Sequence, residues 1–476
     1  MNFNNFSHRM ANALDFTPGH FAQLIGVLFA TVILFLVAYR TPLRIIVSLL
    51  ILLIPFQFVE TRYGSSNIAL TYVFFIALYL RGSIRLIPLW GVVLLILMAY
   101  MISLSQVPPS VYREHIPYLI ALVSAFLVFF IIYNFVRQER DVHFIPQLLL
   151  WLNLLVIIYS IAQILIGETK VALFGIKEFT LTHARGGNDP RLTGPFNAVG
   201  IMAEYLVITI LLIAYELVHE QSGRKRLLLY GLLASDMALL IATANRGGFL
   251  SLILGMILFL ILFRRELGLR RIVGSLIAGV TLLAVGATVI INYTSYGRMF
   301  ERLSQTKVEA GVPDTRSVTW PMALEQIKNK PLLGHGPQLR LYKDFERKIP
   351  GHTPIFFPHN LYLYLLYTVG VVGLVAFMML FLAVMLRTRR AARYDIGDPY
   401  LHGLLRMGAL LIFIVLVDQI KLEFLRSSLI DYWHYLFMLL ALFVGLADTA
   451  LERTRGKGTE GDASAAPVAP PSASVR

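Results

Sequence analysis

Residues 117–136 read PYLIALVSAFLVFFIIYNFV, twenty residues without a charged side chain. The hydrocarbon core of a bilayer is about 30 Å thick, and a helix of about 20 apolar residues crosses it. This stretch therefore predicts a transmembrane helix. The remainder of the chain has the same character, because 57% of its 476 residues are hydrophobic and only 15% are charged. A soluble domain averages about 25% charged residues, so we expect an integral membrane protein.

Similar apolar runs recur along the chain and give 13 candidate transmembrane helices. The second and third are the weakest, because the third is short and the second carries Arg44 at one end and Pro55 inside. We therefore expect an all-α polytopic bundle of about 12 transmembrane helices. The candidates are residues 21–38, 43–59, 67–80, 86–105, 117–136, 144–166, 197–218, 227–243, 249–263, 272–291, 359–386, 402–420 and 430–449.

The Lys and Arg residues of the short connections predict which side of the membrane each connection faces. Six alternate connections hold 17 cations, whereas the short connections between them hold five. Because short cytoplasmic loops carry the excess of Lys and Arg, we expect the first set in the cytoplasm. The two long connections, 167–196 and 292–358, then face outward. The 17 cations are Arg40, Arg44, Arg81, Arg85, Arg137, Arg140, Arg224, Lys225, Arg226, Arg264, Arg265, Arg270, Arg271, Arg387, Arg389, Arg390 and Arg393.

These spans and loops divide the chain into four predicted parts. Residues 1–291 form an N-terminal transmembrane bundle of about ten spans, which includes the outward loop 167–196. Residues 292–358 form one large outward loop that contains short helices, and residues 359–450 form the C-terminal transmembrane helices. Residues 451–476 end in a stretch rich in Gly, Ala, Pro and Ser. Such a stretch buries too little apolar surface to fold, so we expect a disordered cytoplasmic tail.

The charge balance indicates an anionic partner. The chain has 42 Lys and Arg against 28 Asp and Glu, a net charge of +14, and it has no cysteine. A surplus of this size is typical of proteins that bind nucleic acid or anionic membrane components. Nucleic acid is not the expected partner, because the apolar composition commits most of the surface to membrane lipids. The absence of cysteine excludes disulfides, thiolate metal sites and cysteine nucleophiles.

Basic residues of the outward segments are candidates for binding the anion. The loop 292–358 holds ten Lys and Arg against six acids. Arg191 directly precedes a predicted span that Asn197 could cap, so its guanidinium and the free N–H groups of the helix start share one space. Arg246 lies in a short turn between two spans, and Arg316 opens a helix-like stretch. Contact with lipid headgroups, or a salt bridge within the loop, is the alternative role for each of these cations.

His359 is the candidate catalytic base. The segment FFPHN at 356–360 ends the large loop and opens a long span, with Pro358 suited to the first helical turn. An imidazole at this place can accept a proton from a substrate, although a plain interfacial residue is the alternative. The outward segments contain no HExxH motif and no clustered carboxylates. A catalytic metal is therefore not expected.

Four short motifs follow one another across the large loop and the span after it. They are Arg316-Ser317, the stretch KPLLGHGP at 330–337, PHNLYL at 358–363, and GVVG at 370–373. In this order and spacing they resemble the superfamily of O-antigen ligases and O-antigen polymerases. The surroundings of Arg191, and the pair Asn245-Arg246, resemble further positions of that superfamily.

The resemblance implies a metal-independent, GT-C-like glycosyltransferase of the bacterial inner membrane, with its active site at the periplasmic face and no cofactor. The donor would be a glycan on undecaprenyl pyrophosphate. Arg191, Arg246 and Arg316 would bind the diphosphate, and His359 would deprotonate the acceptor hydroxyl for an inverting attack. Supporting residues would be Asn360, Asn197, Gly334 and Gly336, and possible sugar contacts would be Tyr362, Phe356 and Phe357, for which an interfacial aromatic belt is the alternative.

Several acceptors remain open within the family. We expect a ligase that transfers the glycan to lipid A-core, because the basic loop suits a phosphorylated core. A polymerase that extends a lipid-linked repeat unit is the alternative. A protein glycosyltransferase is less favoured, since such members tend to carry additional C-terminal sequence.

The alternative from another class is a transporter or flippase for an anionic lipid. Such a protein places charges inside its spans and shows paired broken helices or internal repeats. No internal repeat is visible in this sequence. The charges that fit a transporter are Asp236 and the group Asp418, Lys421 and Glu423.

Overall fold

The computed structural model describes most of the apolar segments and parts of the loops. It covers residues 18–56, 60–61, 64–84, 89–109, 112–139, 141–166, 169–173, 177–181, 191–196, 198–268, 308–309, 312–313, 316–337, 358–394, 396–425 and 430–463, with isolated positions between 274 and 292.

Helices form the architecture, and twelve of the 13 candidate stretches fall on them. The candidate at 272–291 lies outside the described residues except for isolated positions. The helices are α1 (Pro18–Arg40), α2 (Leu43–Leu53), α3 (Ser66–Leu80), α4 (Trp90–Leu104), α5 (Tyr112–Gln138), α6 (Phe144–Ile166), α7 (Val199–His219), α8 (Gly223–Ala242), α9 (Arg246–Leu262), α10 (Arg316–Asn329), α11 (Leu361–Ala391), α12 (Pro399–Asp418) and α13 (Ile430–Ala463), with a short 3-10 helix at Gly194–Phe196.

Three small antiparallel hairpins lie in the connections and depart from the all-α prediction. They are short and leave the helical bundle intact, so the helical fold class holds while the loops are not helical throughout. In the longest hairpin Lys170 lies opposite Thr180. The paired strands are β1 (Glu60–Thr61) with β2 (Gly64–Ser65), β3 (Thr169–Leu173) with β4 (Lys177–Leu181), and β5 (Val308–Glu309) with β6 (Val312–Pro313).

Six of the described helices are long and apolar enough to cross a membrane, namely α5, α6, α7, α11, α12 and α13. Shorter apolar segments lie in α1 to α4 and in α9. The protein is therefore a helical membrane protein. The total of about 12 spans stays a prediction, because five of the apolar segments are shorter than a usual span.

Burial distinguishes the centre of the bundle from its lipid-facing edge. Helix α7 buries residues around its whole circumference, which is typical of a central helix. Helix α13 packs against α5, where the rings of Phe126 and Phe437 meet edge to face with centroids 5.0 Å apart. In contrast, Leu28, Phe29 and Val37 of α1 are exposed, so α1 lies at the edge.

Connections predicted to face the cytoplasm meet at one end of the bundle. Their cations contact acids or carbonyl groups of one another, which ties separate helices together. The contacts join Arg44 to Glu139 at 3.6 Å, Arg81 to the carbonyl of Thr41 at 2.6 Å, Arg387 to Asp448 at 3.3 Å, and Arg137 to Glu452. Helix α13 continues past residue 450 to Ala463, and the remaining tail, 464–476, lies outside the described residues.

Candidate functional site

The segment 419–425, which follows α12, contacts Arg316 at the start of α10 and His359 just before α11. We call it the 419–425 connector. Its first residue, Gln419, donates from Nε2 to the buried Glu204 of α7 at 2.8 Å. The carbonyl of Gln419 accepts from the backbone N–H of Leu361 at 2.9 Å, which fixes the start of α11. The N–H of Phe424 closes the segment on Gln419 Oε1 at 3.0 Å.

Lys421 links the connector to Arg316 and to the turn that carries Arg246. Its carbonyl accepts from Nη2 of Arg316 at 3.1 Å, so the first residue of α10 is held here. Its Nζ pairs with Asp418 and lies 3.2 Å from Oγ of Ser251 in α9. Its aliphatic chain lies so close to Gly247 that a Cβ there would fall 2.3 Å from Cδ of Lys421. Arg246, the residue before Gly247, therefore stands beside the connector.

Arg191 supports the turn that carries Arg246. Its Nε donates to the carbonyl of Thr243 at 3.1 Å and its Nη2 to that of Ala244 at 3.2 Å, which satisfies carbonyl groups at the end of α8. Asn245 then caps α9 by accepting from the N–H of Gly248 at 2.9 Å. The geometry thus gives Arg191 a role in positioning the turn, and its direct contact with a diphosphate stays a prediction.

His359 lies against the same connector. Its Nδ1 is 3.3 Å from Oε1 of Glu423, a carboxylate that is only 2% exposed, whereas the His359 side chain is 37% exposed. Helix α11 begins at Leu361, after an Asn360 cap that accepts from Leu363 N at 3.0 Å. The prediction that Pro358 lies in the first helical turn is therefore wrong, because the amide of Asn360 is the better N-cap.

The backbone is strained at His359 and in the turn that carries Arg246. Among the described residues, Ala244 and His359 are the only non-glycine residues with positive φ, at 46° and 49°. Such a conformation costs about 1 kcal/mol or more and persists where the surroundings enforce it, often at functional sites. Here one strained residue stands beside the Arg246 turn and the other is the candidate base.

The glycine-rich turn at 330–337 docks into a break in α11. Gly370 interrupts the helix with φ 68° and ψ −171°. The N–H groups of His335 and Gly336 donate to the carbonyls of Tyr367 and Thr368, each at 2.9 Å, in front of the break. Gly334, with φ +69°, passes so close that a Cβ would lie 2.4 Å from the Thr368 carbonyl oxygen. The motif glycines support the site by joining α10 to α11.

We expect Gly334→Ala to destabilise the protein by about 3 kcal/mol, because it adds a backbone clash to the strain of positive φ. Gly82→Ala is the matched control, since Gly82 has φ +72° but no atom lies within 4 Å of the place that an alanine methyl group would take. It should cost about 1 kcal/mol from strain alone. The thermal unfolding midpoints of the two detergent-solubilised variants measure the difference, and equal midpoints would contradict the docking of this turn.

The other predicted site residues make structural hydrogen bonds or lie outside the described residues. Tyr362 donates its hydroxyl to the carbonyl of Leu416 at 2.7 Å, so it joins α11 to α12. Asn360 uses its side-chain oxygen to cap α11, which gives it a structural role at the helix start. Asn197, Phe356 and Phe357 lie outside the described residues, and the N-cap position of α7 is Ala198. The predicted roles of Asn197, Phe356 and Phe357 stay predictions.

The comparison with protein families agrees with the motifs. Residues 229–378 match the family model for O-antigen ligase. The matched segment includes Arg246, Arg316, the glycine-rich turn and His359, and the resemblance that the motifs indicated is confirmed. No curated protein matches the chain.

The most important contact missing from the motifs is the one between His359 and Glu423. The connector lies beyond the matched segment, and Arg191 lies before it. The sequence does show Asp418, Lys421 and Glu423 as a charged cluster at the end of an apolar run. Such a cluster beside a span is a functional signal in a membrane protein, although it does not tell which residue contacts the histidine.

Proposed function

We propose that the protein is an O-antigen ligase, which transfers a glycan from undecaprenyl pyrophosphate to a sugar hydroxyl of lipid A-core at the periplasmic face. The observation that carries the proposal is the 419–425 connector. It touches His359 through Glu423, holds Arg316 through the carbonyl of Lys421, and packs on Gly247 beside Arg246. A proton acceptor and the Arg316 guanidinium are thus held on one short segment, and the turn that carries Arg246 packs against the same segment.

The cations would act on the leaving group. When the bond between the anomeric carbon and the phosphate oxygen breaks, negative charge develops on the departing diphosphate. Guanidinium groups are suited to this charge, because they form two parallel hydrogen bonds to phosphate oxygens and stay protonated. Arg246 and Arg316 would make these contacts. Arg191 would hold the Arg246 turn through its bonds to Thr243 and Ala244.

His359 would act on the acceptor. The acceptor hydroxyl oxygen attacks the anomeric carbon from the face opposite the diphosphate, so the configuration inverts. As the new C–O bond forms, the hydroxyl proton passes to the imidazole of His359, and the diphosphate leaves with the bonding electron pair. The products are the glycosylated acceptor and undecaprenyl pyrophosphate.

The basic character of the loop 292–358, with ten Lys and Arg against six acids, favours lipid A-core as the acceptor. Lipid A-core carries phosphate groups along its inner sugars, which a cationic loop would attract. A polymerase would use a lipid-linked repeat unit instead. Both reactions need the same base and the same leaving-group cations, so the acceptor alone separates them.

Deletion of the gene in its source bacterium tests this assignment. A ligase deletion should leave lipid A-core without glycan, while polymeric glycan accumulates on undecaprenyl pyrophosphate. Expression of the chain in the deletion strain should restore the glycan. Lipid A-core that still carries a single repeat unit would instead indicate a polymerase.

Activity should be independent of divalent cations, because the leaving-group charge is assigned to arginines. The described residues hold no group of three His, Asp or Glu side chains that could bind a metal ion. We expect purified protein in liposomes to retain its full rate of transfer in excess EDTA. Inhibition by EDTA that added Mg²⁺ reverses would contradict the scheme.

A further inference from the structure

Two buried carboxylates differ in their surroundings, namely Asp418, directly before the connector, and Glu423, within it. Asp418 pairs with Nζ of Lys421 and accepts from the hydroxyl of Ser251. Glu423, in contrast, faces the imidazole of His359, with Oε1 3.3 Å from Nδ1. Burying a carboxylate costs free energy unless the group is paired, so a contact of this kind implies a purpose for Glu423 beyond packing.

Hydrogen bonds before and after His359 in the chain hold this residue against Glu423. The backbone N–H of Leu361, two residues after His359, donates to the carbonyl of Gln419 in the connector. Trp320 of α10 donates from Nε1 to the carbonyl of Pro358 at 2.9 Å, directly before the histidine. Together with the strained φ of 49°, these bonds hold the His359 ring against Glu423. Rigid support of this kind is what a catalytic side chain requires.

The contact with Glu423 also selects one tautomer of the His359 imidazole. An ionised carboxylate only accepts hydrogen bonds, so the ring nitrogen that faces it carries the hydrogen. Nδ1 is then protonated and Nε2 bears the free lone pair. The His359 side chain is 37% exposed, whereas Glu423 is buried. The Nε2 edge of the ring is therefore the one that can meet the hydroxyl group of the acceptor substrate.

We propose that Glu423 is the positioning residue of His359, which holds the Nδ1–H tautomer and stabilises the imidazolium that forms when Nε2 takes the proton of the acceptor hydroxyl. This inference rests on the proposed glycan transfer. The proton leaves Nε2 to water after the products separate. Buried carboxylates orient and stabilise the histidine of serine protease triads in the same manner.

Glu423→Gln tests the charge, because glutamine keeps the shape and an oxygen acceptor for Nδ1–H. We expect kcat to fall about 30-fold with the KM for donor unchanged within twofold, by analogy with the partners that orient metal-bound histidines, whose loss costs about 10- to 100-fold. The acidic limb of the kcat profile should move to lower pH, since the imidazolium loses its negative partner. Glu423→Asp, which restores the charge, should recover part of kcat.

The matched control is Glu325→Gln, an exposed glutamate on α10. It removes one negative charge from the same side of the protein and should leave kcat and the pH profile unchanged. The other charged groups of the surrounding elements, Arg246, Arg316, Asp418 and Lys421, are the same in all these variants. A Glu423→Gln variant with more than half of wild-type kcat and an unmoved acidic limb would overturn the proposal.

The tautomer is measurable without activity. The ¹⁵N spectrum of histidine-labelled wild-type protein, with the His359 signal assigned by its loss in His359→Asn, should show a protonated Nδ1. A protonated Nε2 would overturn the proposal even if every glutamate variant unfolds. If the wild-type protein transfers no glycan, the proposed function fails, whereas this spectrum still decides whether Glu423 pairs with Nδ1.

Discussion

His359→Ala is expected to abolish glycan transfer. The substitution removes the only proton acceptor assigned to the acceptor hydroxyl, and general-base catalysis contributes about 100- to 10,000-fold to a rate. We therefore expect kcat to fall about 1,000-fold in liposomes that hold donor and acceptor. Because the imidazole is part exposed and Asn360 caps α11 independently, the folded protein should persist.

His402→Ala is the matched control for this result. His402 lies in the first turn of α12, at the end of that helix opposite the connector, and is half-buried. Its replacement should leave the transfer rate within twofold of wild type. Equal unfolding midpoints of the two variants would show that folding is not responsible. A His359→Ala protein that keeps more than a tenth of wild-type kcat would remove His359 as the base.

Arg316→Lys is expected to lower kcat/KM about 100-fold, as the loss of one preorganised donor to a transition-state charge does. Lysine keeps the positive charge but lacks the planar fork. In the structure one arm of the guanidinium, Nη2, is already committed to the carbonyl of Lys421 at 3.1 Å. The three N–H donors of an ammonium group all lie on one nitrogen, so lysine cannot hold that carbonyl and also present the parallel pair of donors that a guanidinium offers to a diphosphate.

Lys328→Ala provides the control for charge. Lys328 is an exposed cation in the last turn of the same helix, α10. Its removal lowers the charge of the loop by one, which the Arg316→Lys substitution does not, yet it should change kcat/KM by less than twofold. If Lys328→Ala were the more damaging of the two, the general charge of the loop would matter rather than the geometry of Arg316.

The sequence predicts the positions of the apolar helices well, because an apolar helix needs only a local run of apolar residues. Residues 117–136 fall within α5, and the helix-like stretch after Arg316 is α10. Where polar side chains decide the boundary the prediction is less exact. Helix α11 begins at Leu361 rather than near Pro358, because Asn360 accepts from the N–H of Leu363.

The sequence likewise predicts one part of the candidate site and misses another. His359 and Arg316 stand in short motifs, so the sequence reveals them. The partners that give them their geometry are distant in the chain and lie in no motif, namely Glu423 and the carbonyl of Lys421. Arg191 is the clearest case, since its guanidinium contacts carbonyl groups that every residue carries. Contacts to the backbone leave no signature in the side chains, so only the fold shows them.

The sequence contains part of the information that determines the break in α11. Gly370 and two glycines of the 330–337 turn are visible in the sequence, and glycine permits the positive φ that all of them adopt. What the sequence does not contain is their mutual contact, in which the backbone of Leu332 lies where a Cβ of Gly370 would be. The motifs at 330–337 and 370–373 therefore belong to one structural feature, which joins the large loop to the bundle.

The most direct test of the account uses purified protein in liposomes with glycan on undecaprenyl pyrophosphate, EDTA, and either lipid A-core or a lipid-linked repeat unit as acceptor. The account predicts that glycan appears on lipid A-core, that undecaprenyl pyrophosphate is released in equal amount, and that His359→Ala does neither. Transfer to the lipid-linked repeat unit alone would replace the ligase with a polymerase. Donor that stays intact with both acceptors, in the presence of folded protein, would contradict glycan transfer altogether.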